Sequence, residues 1–339
     1  MRINSIGSLA WGILVVALGC GMEGEELRPA QRVVSSSEVS SSGVSSPDLV
    51  GRDPFAWSEP VWLGPLINST GREFGANLSS NGLSLYFNSD RGGSLDIWVS
   101  RRAGPGCPWQ SPVNLGAPLN TALNEGVPNF TPDGRVAFFA SHGHDSRGSA
   151  DIFVSHRVDP NDDFGWEAPV NLGSDVNTLE HESSPAYVQS EGGGGQLYFT
   201  REGQFFTIEL SRDGQTRGPA VHISELSEPG GVNRALTVRA DGRELIFFSS
   251  APHPGAMGLA DLWVSNRRSV NDPWSAPRNL GPPVNSGRPE LDARLSLDGQ
   301  TLLICIGARP GGLGFQDLWM STRGPSAKKE AVNSTQCPP

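Results

Sequence analysis

Short apolar runs alternate with breaks rich in Gly, Pro, Asp and Asn from Trp57 to Arg323, and the alternation itself repeats. The runs LSLYFNS, RVAFFAS, ELIFFSS and TLLICIG each follow a tight-turn pair: Asn81-Gly82, Asp133-Gly134, Asp241-Gly242 and Asp298-Gly299. Both residues of such pairs tolerate positive φ, which tight hairpins require. After a variable loop comes a second run: DIWVSRR from Asp96, DIFVSHR from Asp151, DLWVSNR from Asp261 and DLWMSTR from Asp317. A third piece, W-x-x-P, begins at Trp57, Trp109, Trp166 and Trp274, with a worn copy lacking the Trp from Gly218 to Ser224. Short runs rich in aromatic and aliphatic residues between turn signals predict strands, not helices. Four short strands per repeat of roughly fifty residues is the content of one propeller blade.

The order of the pieces predicts how the ring closes. The repeat region begins with a W-x-x-P strand and ends at DLWMSTR without one. The first strand is therefore expected to complete the last blade, which removes the open sheet edges. The expected fold is an all-β, five-bladed β-propeller over 55–324. Its blades run from Arg72 to Gly116, Asn124 to Gly173, His181 to Ser224, Val232 to Gly281, and Pro289 to Arg323 plus the first strand. A sixth blade has no sequence left to build it. The third repeat departs most, with Ser190 at the turn position, a glycine run from Gly192 to Gly195, and TIELS in place of DIWVS.

A Pro-Asp-Gly turn, an apolar strand ending in Ser, a loop and an Asp-aliphatic-aromatic strand (TPDG, RVAFFAS, DIFVS) resemble the WD40-like repeats of TolB-type β-propellers. The resemblance spans Trp57 to Arg323 and implies the fold and, for function, protein–protein interaction at the cell envelope.

The start of the chain bears on location. The apolar run Leu9–Leu18 is too short to span a bilayer and suits the core of a signal peptide over 1–19. Ala17-Leu18-Gly19-Cys20 resembles the lipobox of bacterial lipoproteins, which implies lipidation at Cys20. An ordinary signal peptide with Cys20 unmodified is the alternative. Eight of the twelve residues from Ser35 to Ser46 are Ser. Such a segment buries too little apolar surface to offset its ordering entropy, so 20–54 reads as a tether. Residues 325–339 read as a disordered tail. The expected location is the bacterial cell envelope, at the outer membrane, with the head in the periplasm or at the cell surface. A formal charge of −10 argues against nucleic acid, which needs a basic face. Cys305 lies in an apolar run and reads as core. Cys107 and Cys337 are available to pair in an oxidising compartment, though no spacing points to it.

Counting back eight residues from each turn position gives Glu73, Glu125, Glu182, Asn233 and Glu290. They are expected at the start of the innermost strand of each blade, around the channel mouth. Clustered carboxylates repel unless a cation, a proton or a donor compensates. They are therefore candidates for a divalent cation or a polyhydroxy or cationic ligand. The plainer reading is that each Glu bonds backbone N–H groups and holds the ring together. Asn68, Asn120, Asn177 and Asn285 share a second slot. His181 and Arg294 break the symmetry near the ring. Asp96, Asp151, Asp261 and Asp317 recur in every good blade and read as turn-structuring groups. His142, His144 and Asp145 form a weak metal-like motif, and no cofactor is expected otherwise. Loops His142–Ala150 and Ala251–Ala260 are the expected partner surface. No G-x-S-x-G, H-E-x-x-H or P-loop is present. The expected function is a non-catalytic scaffolding module for envelope proteins. The alternatives are a glycan- or cation-binding propeller, or a five-bladed glycosidase using the Glu ring, with a glycan as ligand.

Overall fold

A computed structural model describes residues 56–226, 232–251 and 253–324, together with Cys337. The proposed signal peptide, Cys20 and tether lie outside the described residues, as does the tail apart from Cys337. The chain forms five antiparallel sheets of four strands each. Blade 1 holds β2 (Glu73–Leu78), β3 (Ser84–Ser89), β4 (Asp96–Arg101) and β5 (Val113–Asn114). Blade 2 holds β6 (Glu125–Phe130), β7 (Val136–Ser141), β8 (Asp151–His156) and β9 (Val170–Asn171). Blade 3 holds β10 (Glu182–Gln189), β11 (Gly195–Arg201), β12 (Gln204–Leu210) and β13 (Val221–His222). Blade 4 holds β14 (Asn233–Val238), β15 (Glu244–Ser249), β16 (Asp261–Asn266) and β17 (Arg278–Asn279). Blade 5 holds β18 (Glu290–Leu295), β19 (Thr301–Gly307) and β20 (Gln316–Thr322), and β1 (Val61–Trp62) pairs with β20 as its fourth strand. The innermost strands contact one another in a closed circle, β2–β6–β10–β14–β18–β2. The architecture is thus the five-bladed propeller that the repeat predicts, closed by its N-terminal strand.

Each repeated residue has a physical task. The motif Trp is stacked under the Arg that follows the third strand of its blade. Arg102 lies 4.5 Å from the Trp109 ring, Arg157 4.3 Å from Trp166, Arg267 4.2 Å from Trp274 and Arg323 4.5 Å from Trp57. The Nε of each Arg donates to the carbonyl of the turn glycine, at 2.7, 2.6, 2.7 and 2.8 Å. One side chain thus ties the outermost strand to the first turn of its blade. The slot asparagines replace a strand: the Asn120 amide accepts from Ile97 N–H at 3.0 Å and donates to Ile97 O at 2.9 Å. Asn68, Asn177 and Asn285 do the same to Leu318, Ile152 and Leu262.

The core lies between neighbouring blades. Phe138 and Val154 of blade 2 pack on Leu197, Phe199 and Ile208 of blade 3. The innermost strands carry bulges at which Gly75, Val127, Ser184 and Ala235 take φ of 62°, 55°, 56° and 53°. Positive φ is unusual for the β-branched Val127. A side chain from the adjoining blade holds three of these N–H groups. Asp292 accepts from Gly75 at 2.7 Å, Asn88 from Val127 at 2.7 Å and Ser184 from Ala235 at 3.2 Å. At Gly75 a Cβ would stand 2.6 Å from Asn88 Oδ1, so glycine is required there.

Candidate functional site

The starts of the innermost strands define one mouth of the ring, and the Glu slot sits there. Glu73, Glu125, Glu182 and Glu290 are 0–1 % exposed. Each takes an N–H and a hydroxyl from the loop that leads into its own strand. For Glu73 the donors are Ser69 N at 2.8 Å and Ser69 Oγ at 2.6 Å. Thr121, Thr178 and Ser286 serve the other three in the same way. Arg91 and Arg201 add ion pairs to Glu73 and Glu182. These carboxylates close loops and present no exposed surface to a ligand at the mouth. Glu290 faces Ile306, where Glu73 faces Ser89, and burial pushes its carboxyl up to about 7. Asn233 fills the slot in blade 4, and its buried amide has no hydrogen-bond partner among the described residues.

The other sequence candidates separate in space. Asp151 and Asp261 each accept two loop N–H groups and the amide of the strand-four Asn. Asp317 accepts two loop N–H groups, and Asp96 accepts from Asn114 and Ser94. His144 does not join His142. Its Nε2 bonds Leu119 O at 2.8 Å, and its ring lies between Phe139 and Phe153. Arg91, Arg201 and Arg309 occupy the same stacked position in blades 1, 3 and 5. His142 instead faces His181, with ring centroids 5.8 Å apart. Asp145 is exposed at a positive-φ turn residue. Among the described residues, no three His, Cys, Asp or Glu side chains converge where a metal ion could be held. Arg294 is 1 % exposed inside the wall, where it donates to Leu236 O and lies 3.7 Å from Asp292. It does not reach the mouth. Cys107 and Cys337 form a disulfide.

The chemistry that varies lies one residue away from the Glu slot. In each blade the residue before the innermost strand stands beside the residue that follows the slot's partner on the second strand. These pairs are Arg72 with Asp90, Asn124 with His142, His181 with Glu202, Val232 with Ser250, and Pro289 with Gly307, each joined by backbone or side-chain bonds. Blades 1–3 carry charged, amide or imidazole groups here, and blades 4 and 5 carry none with charge. Asp90 accepts Arg72 N–H and Nε, both at 2.7 Å. Burial pushes this carboxyl up, but the bonds from Arg72 outweigh it and hold it low. Glu202 accepts His181 N–H at 3.1 Å and remains exposed.

The position after the slot runs Phe74, Gly126, Ser183, Arg234, Leu291. It is small in blades 2 and 3, beside the two histidines. Arg234 is exposed, yet desolvation lowers its pKa against the pull of Glu202. Burial pushes His181 down to about 4, with Arg234 and His142 adding to the effect. Its imidazole is therefore neutral near pH 7. The same mouth thus carries two ring nitrogen bases, two exposed or half-buried carboxylates and an exposed guanidinium, spread over blades 1–4. Glu202, Asp90 and Arg234 are absent from the sequence-based candidates. The missed signal was a repeat position whose chemistry changes from blade to blade.

No family model matches the chain, and no curated protein matches it in sequence. Its fold is similar to that of solved structures. One is an arabinanase from Bacillus subtilis: TM-score 0.54, 13% identity, covering 77% of this chain and 96% of that one. Another is an α-L-arabinofuranosidase from Podospora anserina, solved in complex with cellotriose: TM-score 0.53, 13% identity, covering 79% and 97%. TolB from Acinetobacter baumannii is also similar, at TM-score 0.41 and 14% identity over 77% of this chain and 56% of that one. The arabinanase and the arabinofuranosidase share this chain's fold. They also correct the expectation of a non-catalytic scaffold for envelope proteins. The disc read as a scaffold is the architecture of arabinan-directed and other glycoside hydrolases.

Proposed function

We propose that this protein is a glycosidase whose saccharide substrate seats over the mouth formed by blades 1–4. The observation that carries this reading is the break in symmetry. The same ring position holds Asp90, His142 and Glu202 in blades 1–3 but Ser250 and Gly307 in blades 4 and 5. The Glu slot, which holds loops together, keeps one group in four of the five blades, whereas a substrate is asymmetric and needs different groups around it. Glycoside hydrolysis needs two carboxylates, one to protonate the leaving oxygen and one to act as base or nucleophile. Asp90, held ionised by Arg72, suits the second task, and the exposed Glu202 is assigned the first. Arg234 and the neutral His181 are assigned to hold sugar hydroxyls. The fold shared with arabinanases and arabinofuranosidases supports an arabinose-containing substrate.

The test is reducing-sugar release from arabinan, arabinoxylan and mixed-linkage glucan by the purified head. Glu202→Gln and Asp90→Asn should each lower kcat at least ~100-fold, the scale of general acid–base catalysis, with an unchanged circular dichroism spectrum. Wild-type protein that releases no sugar from any of the three would overturn the reading.

We also propose lipid anchoring at Cys20 in the outer membrane. The apolar run ending in Ala-Leu-Gly-Cys and the Ser-rich stretch support it. Palmitate labelling should mark the wild type and not Cys20→Ala. Equal labelling of both would sink the proposal.

A further inference from the structure

The opposite mouth of the ring, formed by the turns after the innermost strands, carries a cavity of about 310 Å3. It draws its lining from the ends of the innermost strands and the first turns of four blades, with Phe130 and Pro132 from blade 2, Tyr187 and Glu191 from blade 3, Ala240 from blade 4 and Leu297 from blade 5. This volume lies at the lower end of the ~300–1,000 Å3 seen for small-ligand sites.

Blade 3 builds one wall by departing from the repeat. Its innermost strand has eight residues, whereas β2, β6, β14 and β18 have six each. In the other blades the turn Asn or Asp caps its own turn: Asn81 accepts Leu83 N–H at 3.0 Å, and Asp133 accepts Arg135 N–H at 3.1 Å. Asp241 and Asp298 do the same. Blade 3 has Ser190 and an exposed Glu191 there, followed by Gly192, Gly193 and Gly194 at φ of 88°, 91° and 81°. Three consecutive left-handed glycines carry a large entropic cost on folding. The turn spans five residues, as in the other blades, but the longer innermost strand carries it further along the hairpin.

It also fixes an aromatic ring. A Cβ at Gly195 would lie 2.5 Å from Tyr187 Cζ, so only glycine lets the ring lie flat across the strand. The Tyr187 hydroxyl donates to Gly194 O at 2.7 Å, and the ring stacks on Phe138 at 5.6 Å. Tyr187 and Phe130 keep part of their surface exposed, and Gln189 and Glu191 stand exposed on the rim. A fixed aromatic face beside amide and carboxylate groups matches the two-sided chemistry of a sugar. The C–H face of a sugar packs on an aromatic ring and its hydroxyls bond to the rim. Glu191, with Asp133 near Tyr187, makes the site hostile to an anionic sugar.

We propose that this far mouth is a second, non-catalytic binding site for a neutral oligosaccharide, on the face opposite the candidate active site. The choice of ligand class rests on the glycosidase reading, while the site itself rests on the cavity and on blade 3. The experiment is affinity electrophoresis of the full chain in gels containing arabinan, arabinoxylan or mixed-linkage glucan, beside hydrolysis of 4-nitrophenyl α-L-arabinofuranoside. The double variant Gln189→Ala, Glu191→Ala alters exposed rim groups only. Tyr187→Ala removes the platform, and Tyr187→Phe keeps the ring as a folding control. Retardation by at least one polysaccharide should weaken tenfold or more in the double variant and in Tyr187→Ala, while Glu202→Gln keeps it. Hydrolysis of the small substrate should be unchanged in the double variant.

Retardation equal to wild type in both far-mouth variants overturns the proposal, as does a wild type that no polysaccharide retards. A wild type without hydrolysis, whose retardation the far-mouth variants abolish, removes the active-site reading and leaves this one standing.

Discussion

Glu290 is buried and His181 half-buried near one mouth, and desolvation moves their pKa values in opposite senses. Glu290 is pushed up to about 7 from 4.5, so the fold holds its proton more tightly than the unfolded chain does. Its stabilising contribution is complete below pH 4.5 and is lost as pH rises through 7. His181 is pushed down to about 4 from 6.5, so the fold keeps it neutral where the unfolded chain takes up a proton. Its contribution is complete above pH 6.5 and is lost as pH falls toward 4. Between pH 4.5 and 6.5 the native state gains one proton at Glu290 and forgoes one at His181, and the two slopes offset. Linkage then predicts that Glu290→Gln unmasks a stability that rises with pH in this window, by up to about 1.4 kcal/mol per unit. His181→Gln should unmask the opposite slope. Urea midpoints at half-unit pH steps measure both. Parallel profiles for wild type and the two variants would refute the pairing. The slot of Glu290 was legible from spacing alone. Its titration was not, because it follows from burial in the folded ring, where Ile306 stands across from it in place of the serine opposite Glu73.

At the scale of the element, the W-x-x-P motif was readable as a fourth strand, but its partner was not. That strand is only two residues long in every blade, so its pairing alone holds it weakly. The Arg that stacks on the Trp and bonds the turn glycine supplies the rest. It lies across a variable loop from its Trp, which hides the pairing from any fixed spacing. Blade 2 uses this device most heavily. Arg157 is 4 % exposed, and its Nη1 also bonds the Tyr86 hydroxyl at 3.0 Å and Asp162 O at 3.0 Å. Tyr86 in turn donates to Asp163, which also takes Arg101 and Ser84. Lysine cannot reproduce a planar fork that bonds three groups while stacked on an indole. Arg157→Lys should therefore cost about 2–4 kcal/mol, the scale of a broken buried network. Arg102→Lys, half-buried and without the tyrosine, should cost about 1 kcal/mol or less. Denaturant unfolding of the two variants decides it, and equal costs would mean that the stacking alone matters.

The whole ring closes at two places contributed by the two ends of the chain. At one, β1 pairs Val61 with Met320 and Trp62 with Trp319, Ser58 N–H bonds Thr322 O at 2.8 Å, and Arg323 covers Trp57. At the other, Cys337 is joined to Cys107 in the loop before the outermost strand of blade 1. The clasp was legible because the repeat starts with a strand that it lacks at its end. The disulfide was not, since Cys337 stands outside the repeat and 230 residues from its partner. The two closures act differently. The clasp fills a native edge, so its loss exposes β20 and a buried Trp, whereas the disulfide chiefly limits the unfolded chain. Cys337→Ser should therefore lower stability by about 2–5 kcal/mol, as for loss of a native disulfide, yet leave a folded ring. Removing residues 1–64 strips Trp57 and β1 together, and the loss of a buried Trp alone is worth about 3–5 kcal/mol. The head should then aggregate or unfold at a far lower urea midpoint, whereas removal of 1–54 should leave that midpoint unchanged. If the 1–64 deletion unfolds at the wild-type midpoint, ring closure does not depend on the strand, and blade 5 is stable with three strands and an open edge.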